Sequence, residues 1–277
     1  MIYVQLTNGF GNNLFQYNAA KILARQKQTD VLGLLPLQDY YAKNCLENIG
    51  IKTTSNFVSN NVHHVNDSNY LDTLNSLHFN VNNYLLNGYF EDYTFFYDHI
   101  DYLKSIYPTV RKRNNRDVVV HFRAGDRLFY KNEFSYKPQV ENYVKAINQF
   151  DFEQLHIVTD MPKWDYINQD ELAEMKFHYN VSVSQRVEPQ MSVDYFNSFI
   201  DGFAQFNPIM KSRTIYEDFN FIRSFDNILF EHGTMSWWAS VLSEASKVGV
   251  YGPWRAWKGN GNKNLSNIPL EGWFKWQ

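Results

Sequence analysis

The residues best equipped for chemistry fall in three short segments. In His121–Phe122–Arg123–Ala124–Gly125–Asp126 an imidazole and a guanidinium stand two positions apart, followed by a glycine and a carboxylate. Strand alternation sends His121 and Arg123 to one side if the preceding strand runs through them. A guanidinium there holds two phosphate oxygens in a bidentate fork and keeps its charge at working pH. An Arg123–Asp126 pair that only fixes the loop is the competing reading. The segment Glu231–His232–Gly233–Thr234–Met235–Ser236–Trp237–Trp238 follows the apolar Ile228–Leu229–Phe230 and opens a helix. Free N–H groups and the hydroxyls of Thr234 and Ser236 there suit a phosphate. An ordinary helix cap competes, with Trp237 and Trp238 as core. The third segment, Gly9–Phe10–Gly11–Asn12–Asn13, reads as a turn between a strand and a helix. Glycines let the backbone approach a ligand, and a helix N-terminus favours an anion. A dinucleotide fingerprint needs a third glycine where Leu14 stands, which disfavours a nicotinamide cofactor. A tight turn capped by Asn is the alternative.

Other chemistries leave no trace in the sequence. There is no Asp-x-Asp pair, and the 8 histidines show no zinc-ligand spacing, so no metal is expected. A Gly-x-x-x-x-Gly-Lys-Ser/Thr loop and a Gly-x-Ser-x-Gly elbow are both missing, against a P-loop enzyme or a common hydrolase. With 26 Lys+Arg against 29 Asp+Glu, net charge −3, nucleic acid is not an expected partner. The single Cys45 excludes an intramolecular disulfide framework.

The elements that must position these segments read as α/β. A strand over Ile2–Leu6 and a helix over about 13–26 flank the first turn, with Leu14, Tyr17, Ala20, Ile22 and Leu23 near helical spacing. Residues 56–87 are Asn-rich and weakly patterned. The basic run Arg111–Lys112–Arg113 with Arg116 reads as a solvated linker and domain boundary. Val118–Val119–Val120 then suits a buried parallel strand. Pro138–Phe150 reads as a helix, Leu155–Thr159 as a strand, and Asn227–Phe230, Thr234–Ser246 and Lys247–Tyr251 as strand, helix and strand. The alternation implies βαβ units and mostly parallel sheets, in two domains spanning 1–112 and 113–277. No run approaches the ~20 apolar residues of a membrane span. The opening MIYVQLTNGFGNN lacks the charged and apolar regions of a secretory signal, so a cytoplasmic location is expected.

Taken in order, these segments resemble the α1,2-fucosyltransferases of glycosyltransferase family 11. The family's GLGNQMFQY is similar to GFGNNLFQY at Gly9–Tyr17, and its GYxQSxxYF resembles Gly88–Phe96. Its HIRRGD resembles His121–Asp126, its SD segment Thr159–Asp160, and its NSTFSWW His232–Trp238. Here Asn13 and Glu91 stand at Gln positions, Ala124 replaces the second Arg of the tandem pair, and Gly233 and Met235 replace Ser and Phe. The resemblance implies a GT-B architecture of two facing Rossmann-like domains. It implies inverting, metal-independent transfer of L-fucose from GDP-fucose to a hydroxyl of an acceptor oligosaccharide. His121, Arg123, Thr159, Asp160, Gly233, Thr234, Met235 and Ser236 would hold the donor, with Arg123 stabilising the leaving diphosphate. Asp126 and Glu133 are the candidate proton acceptors. Gly9, Gly11, Asn12 and Tyr89 would edge the acceptor side. The alternatives are another nucleotide sugar, such as a rhamnosyl or xylosyl donor, and a non-catalytic glycan-binding module.

Overall fold

Apolar and β-branched runs become strands in both halves of the chain. In the computed structural model, residues 1–36, 40–57, 60–76, 83–113, 116–131, 137–211, 213–231, 233–252, 270 and 272–276 are described. The first half runs β1 (Ile2–Gln5), α1 (Phe10–Lys27), β2 (Val31–Leu34), α2 (Lys43–Asn48), β3 (Thr53–Thr54), β4 (Val62–Val65), α3 (Tyr70–Asn75) and β5 (Asn83–Leu86). A 3-10 stretch over Tyr93–His99 then leads into α4 (Ile100–Ile106). Its strands form a parallel sheet in the order β3-β2-β1-β5-β4. Ile2 lies opposite both Val31 and Tyr84, which makes β1 the central strand. Ile2 and Val4 are wholly buried, the condition under which a parallel strand reads as a continuous apolar run.

The second half runs β6 (Asp117–Phe122), α5 (Val140–Ile147), β7 (Gln154–Thr159), α6 (Gln169–Glu174), α7 (Pro189–Ala204), β8 (Ile209–Lys211), α8 (Ile215–Arg223), β9 (Asn227–Phe230), α9 (Thr234–Val241), β10 (Lys247–Tyr251) and β11 (Trp273–Trp276). Its sheet is also parallel, in the order β11-β10-β9-β6-β7-β8. Counted outward from β6, this is the doubly wound order 3-2-1-4-5-6. The winding therefore reverses between β6 and β9. Under one face, Phe122 packs 4.4 Å from Phe199 between ring centroids, and Tyr143 packs 4.6 Å from Trp276. Both sheets are Rossmann-like.

The chain divides into two compact units, Met1–Thr109 joined by Trp237–Leu242, and Val110–Ser236 continuing from Ser243. The sequence suggests two uninterrupted stretches, whereas α9 is shared between the units. The cause is the pair of buried indoles. Trp237 stacks on Phe15 at 5.3 Å, Trp238 meets Phe15 at 5.0 Å and Phe96 at 5.1 Å, and Tyr93 closes on Trp237 at 4.8 Å.

Three local expectations change. The basic run is solvent-exposed as expected, but it belongs to the second unit and is tied to it rather than standing as a linker. Lys112 Nζ pairs with Asp226 Oδ1 at 3.0 Å and Arg116 with Glu153 at 2.7 Å, while the Arg113 guanidinium lies 4.5 Å over the Phe221 ring. Helix α1 starts at Phe10, so Gly11 and Asn12 are helical and the turn is confined to Thr7–Gly9. Gly9 is the N-cap, and its carbonyl accepts from Asn13 N at 3.1 Å. Helix α9 ends at Val241, short of Ser246, and the Ser243 hydroxyl accepts a backbone bond from Ala245, a local alternative to helix. No described helix is long and apolar enough to cross a membrane.

Candidate functional site

Open α/β sheets bind ligands at the carboxyl ends of the strands that flank a winding reversal. In the second unit those strands are β6 and β9, and two hydrogen bonds join their ends. His121 Nδ1 bonds Ser236 Oγ at 2.5 Å, and the Arg123 backbone N–H donates to Glu231 Oε1 at 3.1 Å. Strand β6 ends at Phe122, which leaves Arg123 as the first loop residue. His121 is buried, and burial together with the Arg123 charge lowers its pKa to about 3, so the imidazole is neutral. Ser236 is wholly buried and its hydroxyl is hydrogen-bonded to this ring. The sequence reading offers that hydroxyl to a phosphate. The structure uses it to help satisfy a buried histidine.

The loop after β6 is held by an unusual clamp. Asp160 Oδ1, just beyond β7, accepts from Ala124 N at 2.9 Å and Gly125 N at 2.8 Å. A Cβ on Gly125 would fall 2.1 Å from Asp160 Oδ2, so only glycine fits. The surrounding protein pushes the Asp160 carboxyl up, against the opposing pull of Arg123 and the Gly125 amide. Its outer surface still meets solvent, so the two amide bonds define its role better than burial does. Asp160 thus shapes the loop after β6, and Thr159 behind it is buried with its hydroxyl accepting from Met161 N at 3.2 Å. Arg123 points outward from this fixed backbone. Its guanidinium reaches Asp126 Oδ1 at 3.5 Å, with the two side chains 36% and 25% exposed. Both sequence readings of Arg123 are therefore compatible in one residue: a loop pair and an accessible cation. Thr234 and Met235 are half-buried at the start of α9. Gly233 is buried, and a Cβ there would meet Ser236 Oγ at 3.2 Å. Glu133 lies outside the described residues.

Sequence reasoning overlooks Glu231. It follows β9, whose four residues are all buried, and is itself only 4% exposed. Burial raises its pKa to about 8 against the opposing charges of Arg127 and Arg123. Arg127 is held below its ordinary value by burial and by Arg123, and burial brings Lys137 down to about 8. The available signal is a carboxylate placed directly after the apolar run Ile228–Leu229–Phe230.

The first unit gathers a polar cluster where β1 and β5 end, at the reversal of its own sheet. Gln16 accepts from Thr7 N at 3.0 Å and donates to Gly88 O at 2.9 Å, linking the two loops. Asn8, with φ 63°, donates from Nδ2 to the Tyr89 hydroxyl at 2.7 Å. Asp67 accepts from Tyr89 N at 3.1 Å and Phe90 N at 2.6 Å. Beside it, burial and the Asp67 charge raise Glu91 to about 7. Tyr89 is 40% exposed and Asn12 half-buried, whereas Gly11 is buried inside α1. Gly9 has φ −77°, and a Cβ there would meet only the Tyr41 hydroxyl at 3.6 Å, so nothing demands glycine at that position. Asn8, Gln16, Asp67 and Glu91 are members of this cluster absent from the sequence-derived site. Among the described residues, no three His, Cys, Asp or Glu side chains group as metal ligands would. No protein-family model matches the chain, and neither does any curated protein.

Proposed function

We propose that the chain is an inverting, metal-independent glycosyltransferase on a GT-B-like architecture. It moves L-fucose from GDP-fucose to a hydroxyl of an acceptor glycan, forming an α1,2 link. The observation that carries this reading is Arg123: a part-exposed guanidinium on a doubly clamped backbone, at the reversal point of a 3-2-1-4-5-6 sheet. The ordered motif series from Gly9 to Trp238 supplies the sugar and the base. In the reaction the acceptor oxygen forms a bond to the anomeric carbon while the bond from that carbon to the β-phosphate oxygen breaks. The electron pair leaves on GDP, whose growing charge Arg123 stabilises, an effect worth about 3–4 kcal/mol for one such donor. The acceptor proton passes to a carboxylate, with Asp126 and Glu133 as the candidates. Neutral His121 sets the shape of the donor pocket, and Asn12 and Tyr89 serve the acceptor.

The test is a panel of nucleotide sugars given to the pure protein, with and without acceptor glycans and EDTA, reading nucleotide release and glycan product. GDP release from GDP-fucose, undiminished by EDTA, is the expected result. Release from a rhamnosyl or xylosyl donor instead would replace the donor. Glycan binding with no release from any donor would overturn the enzymatic reading.

A further inference from the structure

Glu231 is a buried carboxylate, 4% exposed, on the β9 side of the winding reversal. Its Oε1 accepts the backbone N–H of Arg123 from the β6 side, so it fixes where the guanidinium starts. Charged and titratable groups face it from every neighbouring element. Arg123 and Arg127 come from the loop after β6, and Asp160 from the end of β7. Lys137 precedes α5, Tyr143 lies on α5 against the carboxyl, Tyr195 on α7 and Tyr251 on β10. Three of these groups carry positive charge. A buried carboxylate among them cancels part of that charge, and a buried carboxylic acid does not.

We propose that Glu231 is a positioning residue for an anionic ligand, fixing Arg123 through its backbone and setting, by its own charge, how much of the Arg123–Arg127–Lys137 charge the ligand meets. The inference rests on the anionic donor of the proposed function and extends it to a pH-dependent affinity. Below about 8, Glu231 is protonated and cancels none of the positive charge of Arg123, Arg127 and Lys137. As pH rises through that value the carboxylate forms and the affinity for a diphosphate falls. By linkage, an anion that binds at higher pH draws a proton back onto the site.

The experiment is calorimetric titration of the full chain with GDP and, separately, with inorganic pyrophosphate at pH 7 and pH 9. Wild type should lose roughly tenfold in affinity over this range, a change of about 1.4 kcal/mol. Glu231→Gln keeps an oxygen for the Arg123 N–H but cannot ionise, so its loss should be clearly smaller. Lys137 also titrates near 8, so Lys137→Met serves as the control and should retain much of the wild-type decline. A Glu231→Gln protein that declines as steeply as wild type overturns the proposal. Should that variant fail to fold, Lys137→Met decides, since it removes the other group that titrates near 8. Titration of Lys137→Met at pH 8.5 in buffers of different ionisation enthalpy should show net proton uptake on binding, and none would overturn the proposal. Pyrophosphate binding with this profile but no GDP binding would sink the nucleotide reading and leave this inference standing. GDP binding with an unchanged Glu231→Gln profile would do the reverse, and binding of neither anion would remove both.

Discussion

At Gly125 the side chain is a single hydrogen because Asp160 leaves no room for more. The same device recurs at Gly88, where a Cβ would fall 2.4 Å from Asp67 Oδ2 while Asp67 holds the next two amides. In each case a carboxylate grips two successive backbone N–H groups and shuts out every larger residue. Gly125→Ala should therefore destabilise the protein by roughly 1–3 kcal/mol, as overpacking does. In a double-mutant cycle with Asp160→Ala the two losses should add to less than their sum. Full additivity in denaturant melts would show that the alanine methyl never meets Asp160. Arg123 makes the opposite case. Its ion pair with Asp126 is part-exposed, and such pairs contribute up to about 1 kcal/mol. Arg123→Ala should therefore abolish nucleotide binding and transfer with little change in melting temperature. Arg123→Lys should recover little, since an ammonium cannot reproduce the fork. Near-full activity of the lysine variant would remove the phosphate-holding role, and a matching collapse of stability in the alanine variant would reduce Arg123 to a loop pair.

Elements differ in how openly the sequence declares them. Strands β9 and β10 match their expected limits, β7 gains one residue and β6 three, because the buried apolar run at the centre of each strand is legible while polar residues such as Asp117 and Gln154 stand at the ends. Helix α1 hides its start, since Gly9, Gly11, Asn12 and Asn13 resemble turn residues although only Gly9 caps. Helix α7 carries a fair signal, Pro189 at its first turn and Val193, Phe196, Phe199 and Phe203 buried along one face. Helix α8 is announced by its cap. Thr214 Oγ1 accepts from Glu217 N at 3.3 Å, and Glu217 Oε2 accepts from Thr214 N at 3.1 Å. Thr214→Ala should lower stability by about 1 kcal/mol, seen as a shifted denaturant midpoint with unchanged slope. No shift would mean that this reciprocal pair adds nothing to α8. The site shows the same split. Arg123 stands out because it directly follows an apolar run. The partnership of Asp160 with Ala124 and Gly125 spans 36 and 35 residues, and that of Glu231 with Arg123 spans 108, so both depend on strand order that local pattern does not carry.

Across the whole molecule, two buried groups of opposite sense shape the response of stability to pH. His121 has its pKa lowered from 6.5 to about 3, so its contribution is full above 6.5 and is lost as pH falls toward 3. Glu231 has its pKa raised from 4.5 to about 8, so its contribution is full below 4.5 and is lost as pH rises through 8. Together they predict a plateau between about 4.5 and 6.5 with a decline on either side. Urea midpoints should show Glu231→Gln flattening the alkaline limb and turning the plateau into a rise up to about 6.5, and an unaltered alkaline limb would refute the assignment. The shared helix α9 gives a further expectation. Residues 1–109 expressed alone lack the indoles that cover Phe15 and Phe96, and should bind hydrophobic dye without a cooperative melt. A sharp melt of that fragment would show that Trp237 and Trp238 are dispensable to it. The same loop-back has a temporal side during synthesis. A ribosome adds ~5–20 residues per second, so the roughly 130 residues between Thr109 and Trp237 take about 6–25 s to appear. For that interval the aromatic face around Phe15 is out of the ribosome without its closing pair, and the amino-terminal unit, translated first, is completed late.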